Sequence, residues 1–209
     1  MVRTIEKVTA FITRRREDGH NLLLIEHPYA GIQIPAGTVK ATENPEQAIL
    51  RETFEETGLT ISSPPLLLDC QETYLAADEG FILPPSPVYA RPDARSFNWI
   101  CIQSGVQVEV LRKMEGFMQI TYIEHDQVPN SNYVSMQITG WVSDDRVAQK
   151  VKRHFFHIKF EGVTESSWKI FSDHHTFTVF WAPIQELPVI IPPQDTWLKY
   201  LIETFDEEI

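Results

Sequence analysis

Val8, Ala10 and Ile12 alternate with Thr9, Phe11 and Thr13, and a short apolar run at 22–25 follows the turn-forming pair Asp18-Gly19. The period of two predicts two paired strands. Residues 45–57 predict a helix with punctuation at both ends. Asn44 stands as N-cap, Pro45 at the first helical position, Gln47 at the capping-box position and Gly58 as terminator. From 76 to 96 the chain carries Pro84, Pro85, Pro87 and Pro92 with few periodic apolar positions, which predicts an irregular loop within an insertion. Runs at 97–103, 106–112 and 117–124, separated by Ser104-Gly105 and Glu115-Gly116, predict an antiparallel meander.

His154, Phe156, Ile158 and Phe160 alternate with Phe155, His157 and Lys159, and Phe177, Val179 and Trp181 repeat the alternation. Two further strands are predicted there. Near the end, Asp195 follows Pro192-Pro193 as an N-cap, and Trp197, Leu198, Leu201 and Phe205 fall on one helical stripe that predicts a helix packed on a sheet. Strands with interspersed helices and no fixed repeat lead to an α/β or α+β sandwich.

The 209 residues suffice for a single domain that buries a real core, including one enlarged by an insertion. Apolar residues at 43% and charged residues at 22% are the balance of a soluble globular protein. The net charge of −11 excludes an extended nucleic-acid-binding surface, which needs clustered Lys and Arg, so no long nucleic acid is expected as a partner. Cys70 and Cys101 form neither a C-x-x-C pair nor a zinc spacing, and are expected as buried structural thiols in a reducing cytoplasm. The opening Met-Val-Arg-Thr-Ile-Glu-Lys has scattered charges and no apolar signal core, and no run approaches the roughly 18 apolar residues of a membrane span.

The segment 37–59 carries the chemistry. Glu52, Glu55 and Glu56 sit at i, i+3 and i+4, so a helix puts their carboxylates on one face. Like charges at this spacing destabilise a helix by about 0.2–0.5 kcal/mol per pair. They also lie in the last turns, where negative charge opposes the macrodipole at about 0.3–1 kcal/mol per exposed group. A cation would remove both penalties, and three carboxylates on a rigid helix offer hard oxygens suited to Mg²⁺ or Mn²⁺. Taken alone, the same residues read first as a solvated acidic face, partly neutralised by Arg51 pairing with Glu55 at i+4.

Gly37, Glu43, Arg51, Glu52, Glu55, Glu56, Gly58 and Leu59 stand at every fixed position of the pattern G-x5-E-x7-R-E-U-x-E-E-x-G-U, where U is a bulky aliphatic residue. The segment therefore resembles the Nudix box. Thr53 is the one departure, at a position usually aliphatic, and its branched β-carbon makes this a small packing change. The resemblance implies a Nudix-type α/β/α sandwich with a mixed sheet, the box helix between layers and a closing helix at 195–205. It also implies one Nudix domain spanning 1–209 with an inserted, antiparallel β segment around 70–150, in excess of a minimal domain.

The resemblance further implies metal-dependent hydrolysis of a phosphoanhydride bond in a nucleoside diphosphate linked to another group: ADP-ribose, a dinucleoside polyphosphate, a nucleotide sugar or a nucleoside triphosphate. Glu52, Glu55 and Glu56 become metal ligands for Mg²⁺ or Mn²⁺, joined by the Ala36 backbone carbonyl, with Glu56 the leading ligand. Arg51 joins the three glutamates as a catalytic residue by orienting a box carboxylate, and Glu43 holds the loop against the helix. The general base is left open among Glu52, Glu55 and the loop acids Glu161, Glu165 and Asp173. The lead-in Ile34-Pro35-Ala36-Gly37 resembles that of ADP-ribose-type members.

Other features weigh less. Asp173-His174-His175 reads as a solvated strand entry and is assigned no metal. Trp99, Phe117, Tyr122 and Trp168 read as core before they read as base-stacking residues. The run Arg14-Arg15-Arg16 reads as a solvated strand end, with a phosphate contact as its other reading. A nucleotide-sensing Nudix domain without turnover is the alternative function, and the intact box counts against it. A third role, compatible with hydrolysis, is a homodimer interface supplied by the insertion.

Overall fold

The structure, a computed structural model, describes residues 2–17, 19–128, 130–172 and 175–206. The elements in chain order begin with β1 (Thr4–Arg16), β2 (Gly19–His27), β3 (Gly31–Gln33), β4 (Ala36–Thr38), α1 (Pro45–Thr57) and β5 (Leu66–Tyr74). There follow β6 (Glu79–Ile82), β7 (Ser86–Tyr89), β8 (Asn98–Ile102), β9 (Gln107–Met114), β10 (Phe117–His125), β11 (Val134–Ser143) and β12 (Val147–Ala148). The chain closes with β13 (Lys150–Lys159), β14 (Ser167–Ser172), β15 (His175–Pro183) and α2 (Leu198–Asp206). No helix among the described residues is long and apolar enough to cross a membrane.

Two compact units emerge, one of residues 7–70 and 153–209, the other of residues 1–6 and 71–152. In the first, a sheet orders its strands β14-β15-β2-β1-β13-β5, with β3 on β2 and β4 on β1. Alternation along the strands sorts side chains to two faces. Val8, Ala10, Ile12, Leu23, Phe156, Ile158, Val179 and Trp181 meet Ala48 and Ile49 of α1. Their neighbours Phe11, Leu22, Leu24, Phe155 and Ala182 meet Tyr200 and Leu201 of α2. A helix covers each face, which is the α/β/α sandwich the box implied.

The hairpin of β1 and β2 has the register Thr13↔Leu22 to Arg16↔Gly19, as the alternation predicts. Farther along, β2 pairs with β3 while β1 pairs with β4, which delivers the residues before α1 to the sheet. That connection is pinned from the far end of the chain: Gln194 Oε1 accepts from the Ile34 N–H, and Ile191 N–H donates to the Ile32 carbonyl.

The second unit is an antiparallel sheet ordered β12-β6-β9-β10-β11-β7-β8, with Ile82, Val88, Val108, Ile120, Ile138 and Val142 in its core. Two expectations are corrected here. The stretch 76–96 contains β6 and β7, each of 4 residues, too short for a period of two to show through four prolines. The meander is formed by β9, β10 and β11, whereas β8 pairs with β7. After β8 the chain turns toward β6: Gly105 N–H donates to the Ile82 carbonyl and Ile82 N–H to the Val106 carbonyl.

The closing helix also differs in detail. Asp195 lies inside a 3-10 turn, Gln194–Trp197, with Thr196 donating to the Pro193 carbonyl, and the α-helix starts at Leu198. Its stripe does pack on the sheet through Trp197, Leu198 and Leu201, while the Phe205 side chain lies outside the described residues. The expected loop between the late strands holds β14, paired antiparallel with β15. Cys70 and Cys101 are exposed, not buried.

Candidate active site

Helix α1 ends where its sequence says it should. Asn44 Oδ1 accepts from Gln47 N–H and Gln47 Oε1 from Asn44 N–H, closing the capping box. Gly58 takes the left-handed conformation at φ 74°, and its N–H donates to the Phe54 carbonyl. Trp168 Nε1–H donates to the Thr57 carbonyl at 2.8 Å, so its indole N–H is taken up by the helix end.

Arg51 is the hub of the helix face. Its Nε and Nη2 grip the Glu43 carboxylate at 2.9 and 2.6 Å, Nη2 donates to the Thr38 carbonyl at 3.1 Å, and Nη1 reaches Glu55 and Glu52 at 2.9 Å each. The loop is thereby clamped to the helix, with Glu43 also accepting from Lys40 N–H at 2.8 Å. The Arg51 guanidinium, with help from the Lys40 N–H, holds the Glu43 carboxyl below its ordinary pKa.

Two box carboxylates turn onto β4. Thr38 N–H donates to Glu52 Oε1 at 3.2 Å and Ala36 N–H to Glu56 Oε2 at 3.0 Å. Gly37 lies between them, and a Cβ there would come within 2.0 Å of Glu52 Cδ, so the carboxylate occupies the room a glycine leaves. Ala36 itself pairs with Thr9 of β1, and the Ala10 N–H takes the preceding Pro35 carbonyl. Burial pushes the Glu52 carboxyl above its ordinary pKa, against the pull of Arg51 and with help from the Glu55 charge.

These residues fit a hard divalent cation in the chemistry of their donors. Glu52 is a desolvated carboxylate whose charge a cation would stabilise, and Glu56 and the exposed Glu55 share its helix face. As the side chains stand, the three do not close into a ligand cluster, because Arg51 and the β4 N–H groups engage them. No group of three or more His, Cys, Asp or Glu gathers into a metal site elsewhere among the described residues.

Sequence reasoning missed two cations, Lys7, which pairs with Thr38 and feels the Glu52 charge, and Arg153, whose charge acts on Lys7. Lys7 is largely buried, its pKa lowered to about 8 by desolvation and by Arg153, with the Glu52 charge opposing. Arg153, lowered to about 10 by burial, donates to Thr9 Oγ1 at 3.0 Å and lies 4.2 Å from the centre of the Trp197 ring. Their signal was a charge inside an otherwise apolar alternation, at Lys7 before Val8 and at Arg153 before His154.

The loop acids scatter. Glu161 lines a cavity at the Arg14–Arg16 end of β1, Glu165 lines another beside Gly58, and Asp173 lies outside the described residues, as does His174. Of the candidate stacking aromatics, Tyr122 packs on the core of its unit and Phe117 edges onto Tyr89. Trp99 is the exception to the core expectation, 48% exposed and stacked on Phe97.

No curated protein is similar enough in sequence to register as a match. The NUDIX domain of Shewanella oneidensis NrtR, solved with ADP ribose, aligns over 98% of this chain and 90% of its own at 13% identity and a TM-score of 0.49. The family model for the NUDIX domain matches residues 5–113, just over half of the 209 residues and including the whole box. The chain belongs to the Nudix family.

Proposed function

We propose that the protein is a pyrophosphohydrolase that uses Mg²⁺ or Mn²⁺ to cleave a phosphoanhydride bond in a nucleoside diphosphate linked to another group. The observation that carries this is the folded box: Glu52 and Glu56 turned onto β4, with Arg51 holding Glu43, Glu52 and Glu55 together. The metal, when bound, supplies charge neutralisation of the diphosphate and Lewis-acid activation of water. Glu56 is the principal ligand, joined by Glu52, Glu55 and the Ala36 carbonyl. Arg51 acts by position, fixing the carboxylates so that little reorganisation accompanies the reaction.

Lys7 and Arg153 deepen the reading. Both are desolvated cations; Lys7 feels the Glu52 charge and Arg153 acts through Lys7, so a diphosphate drawn to the metal would meet the Lys7 charge already stripped of water. The reading takes 1–209 as one Nudix domain in the cytoplasm, with the insertion around 70–150 supplying a homodimer contact that mass in solution tests.

The test is product release from ADP-ribose, diadenosine polyphosphates, nucleotide sugars and nucleoside triphosphates with Mg²⁺ or Mn²⁺, comparing the native chain with Glu56→Gln. Metal-dependent turnover of one class, lost in the variant, is expected. Nucleotide binding with no turnover across the panel would overturn hydrolysis in favour of a sensor.

A further inference from the structure

At the hairpin end of β1 lies a cavity of about 470 Å³ whose walls come from β1, β2, β13 and the turn after β13. Its volume is in the range of small-molecule sites. Arg14, Arg15, Arg16 and Lys159 line it with His20, against the single carboxylate of Glu161 among the described lining residues. The chain as a whole has 29 acidic residues and 18 Lys and Arg, so four cations around one cavity reverse the prevailing charge.

The wall is built, not merely charged. Arg14 is buried, its guanidinium 4.3 Å from the centre of the Trp181 ring, and its Nη1 donates to Thr164 Oγ1 at 3.3 Å. Trp181 Nε1–H donates to the same hydroxyl at 2.9 Å, and the Trp181 ring stacks on Phe160. Gly162 makes room for Phe160, since a Cβ there would fall 2.5 Å from its ring. The stack of Phe160, Trp181 and Arg14 thus presents a guanidinium in fixed orientation, with Arg15, Arg16 and Lys159 exposed beside it.

We propose that this cavity binds a small phosphorylated anion at a second site, separate from the box. Guanidinium groups match phosphate oxygens two at a time, and a cluster of them selects an anion with two or more charges. The separation follows from register. Val8 of β1 pairs with Gly37, and Arg14 lies six residues farther along the strand, roughly 20 Å away at about 3.4 Å per residue.

Calorimetric titration of the full chain with inorganic diphosphate and with AMP, in EDTA, tests the site. Without divalent metal the box carboxylates repel these anions, and Lys7→Met reports any binding that remains beside the box. Saturable binding is expected that weakens roughly tenfold or more in an Arg15→Glu, Arg16→Glu double variant and in Lys159→Glu, as lost charge-assisted bonds imply. These side chains are exposed, and unchanged far-UV dichroism and thermal midpoint would show the variants folded. No saturation at millimolar anion, binding unchanged in both variants, or binding lost only in Lys7→Met would overturn the proposal.

Discussion

Gly37→Ala separates the geometry of the box from the stability of the fold. The residue lies in β4, outside the group of glycines with positive φ, so alanine meets no backbone strain. The obstacle is steric: the new Cβ would stand 2.0 Å from Glu52 Cδ and Oε1 and 2.4 Å from Cγ. Carbon atoms settle near 3.5 Å, so the carboxylate must retreat by about 1.5 Å. Glu52 is a flexible chain and can swing, at the expense of its bonds from Thr38 N–H and Arg51. Losing hydrogen bonds to a charged group destabilises by about 1.5–3 kcal/mol, and a domain of this size loses about 2–4 °C of thermal midpoint per kcal/mol. A misplacement of about 1 Å at a reacting centre reduces turnover by about a hundredfold. Scanning calorimetry and a steady-state assay on the preferred substrate measure both. A variant within twofold of native turnover would refute the role given to Glu52 against Gly37.

Arg51→Lys loses the fork that holds Glu43 and the links to Glu55 and Thr38, so turnover should fall about 10–100-fold with the fold retained, as kinetics and circular dichroism would report. Thr53→Val should stabilise the protein by about 1 kcal/mol in urea unfolding, because Thr53 is fully buried and its hydroxyl has no hydrogen-bond partner among the described residues. Lys7→Met should raise stability at pH 7, by up to about 3 kcal/mol, while raising KM. The sign follows from protons: between pH 8 and 10.5 the unfolded chain holds a proton on Lys7 that the folded chain has released, so native stability climbs through that window. The advantage of Lys7→Met should therefore shrink between those values, and urea titrations at pH 7 and above 10.5 would show it.

The sandwich was legible because Val8, Ala10 and Ile12 recur with a period of two in β1, although that strand is buried on both faces from Val8 to Arg14, and because α1 carries a complete cap at each end. The partners of Arg51 were half legible, since Glu55 at i+4 follows from helix geometry while Glu43 and Thr38 depend on how the loop returns. The second unit was less so. Its strands β6, β7 and β12 run 4, 4 and 2 residues, and what pairs them is hydrogen bonding such as Gly105 to Ile82, which has no signature in hydropathy. Lys7 and Arg153 were invisible as a pair because 146 positions of sequence separate residues that only sheet order unites.

What remains in the first unit is a concentration of unfavourable electrostatics within a fold otherwise consistent at every level. α1 has no basic residue in its last turn, three carboxylates crowd its second half, Glu52 is desolvated toward its neutral form, and Lys7 and Arg153 are cations that desolvation disfavours. Each feature taken alone reduces stability, and apolar replacements would fit the same backbone. Their penalties share one remedy. On the proposed function, a divalent cation held by the carboxylates would relieve their repulsion and an anionic substrate would relieve the Lys7 charge beside Glu52, so the residues that frustrate the free protein are those that the bound state would satisfy.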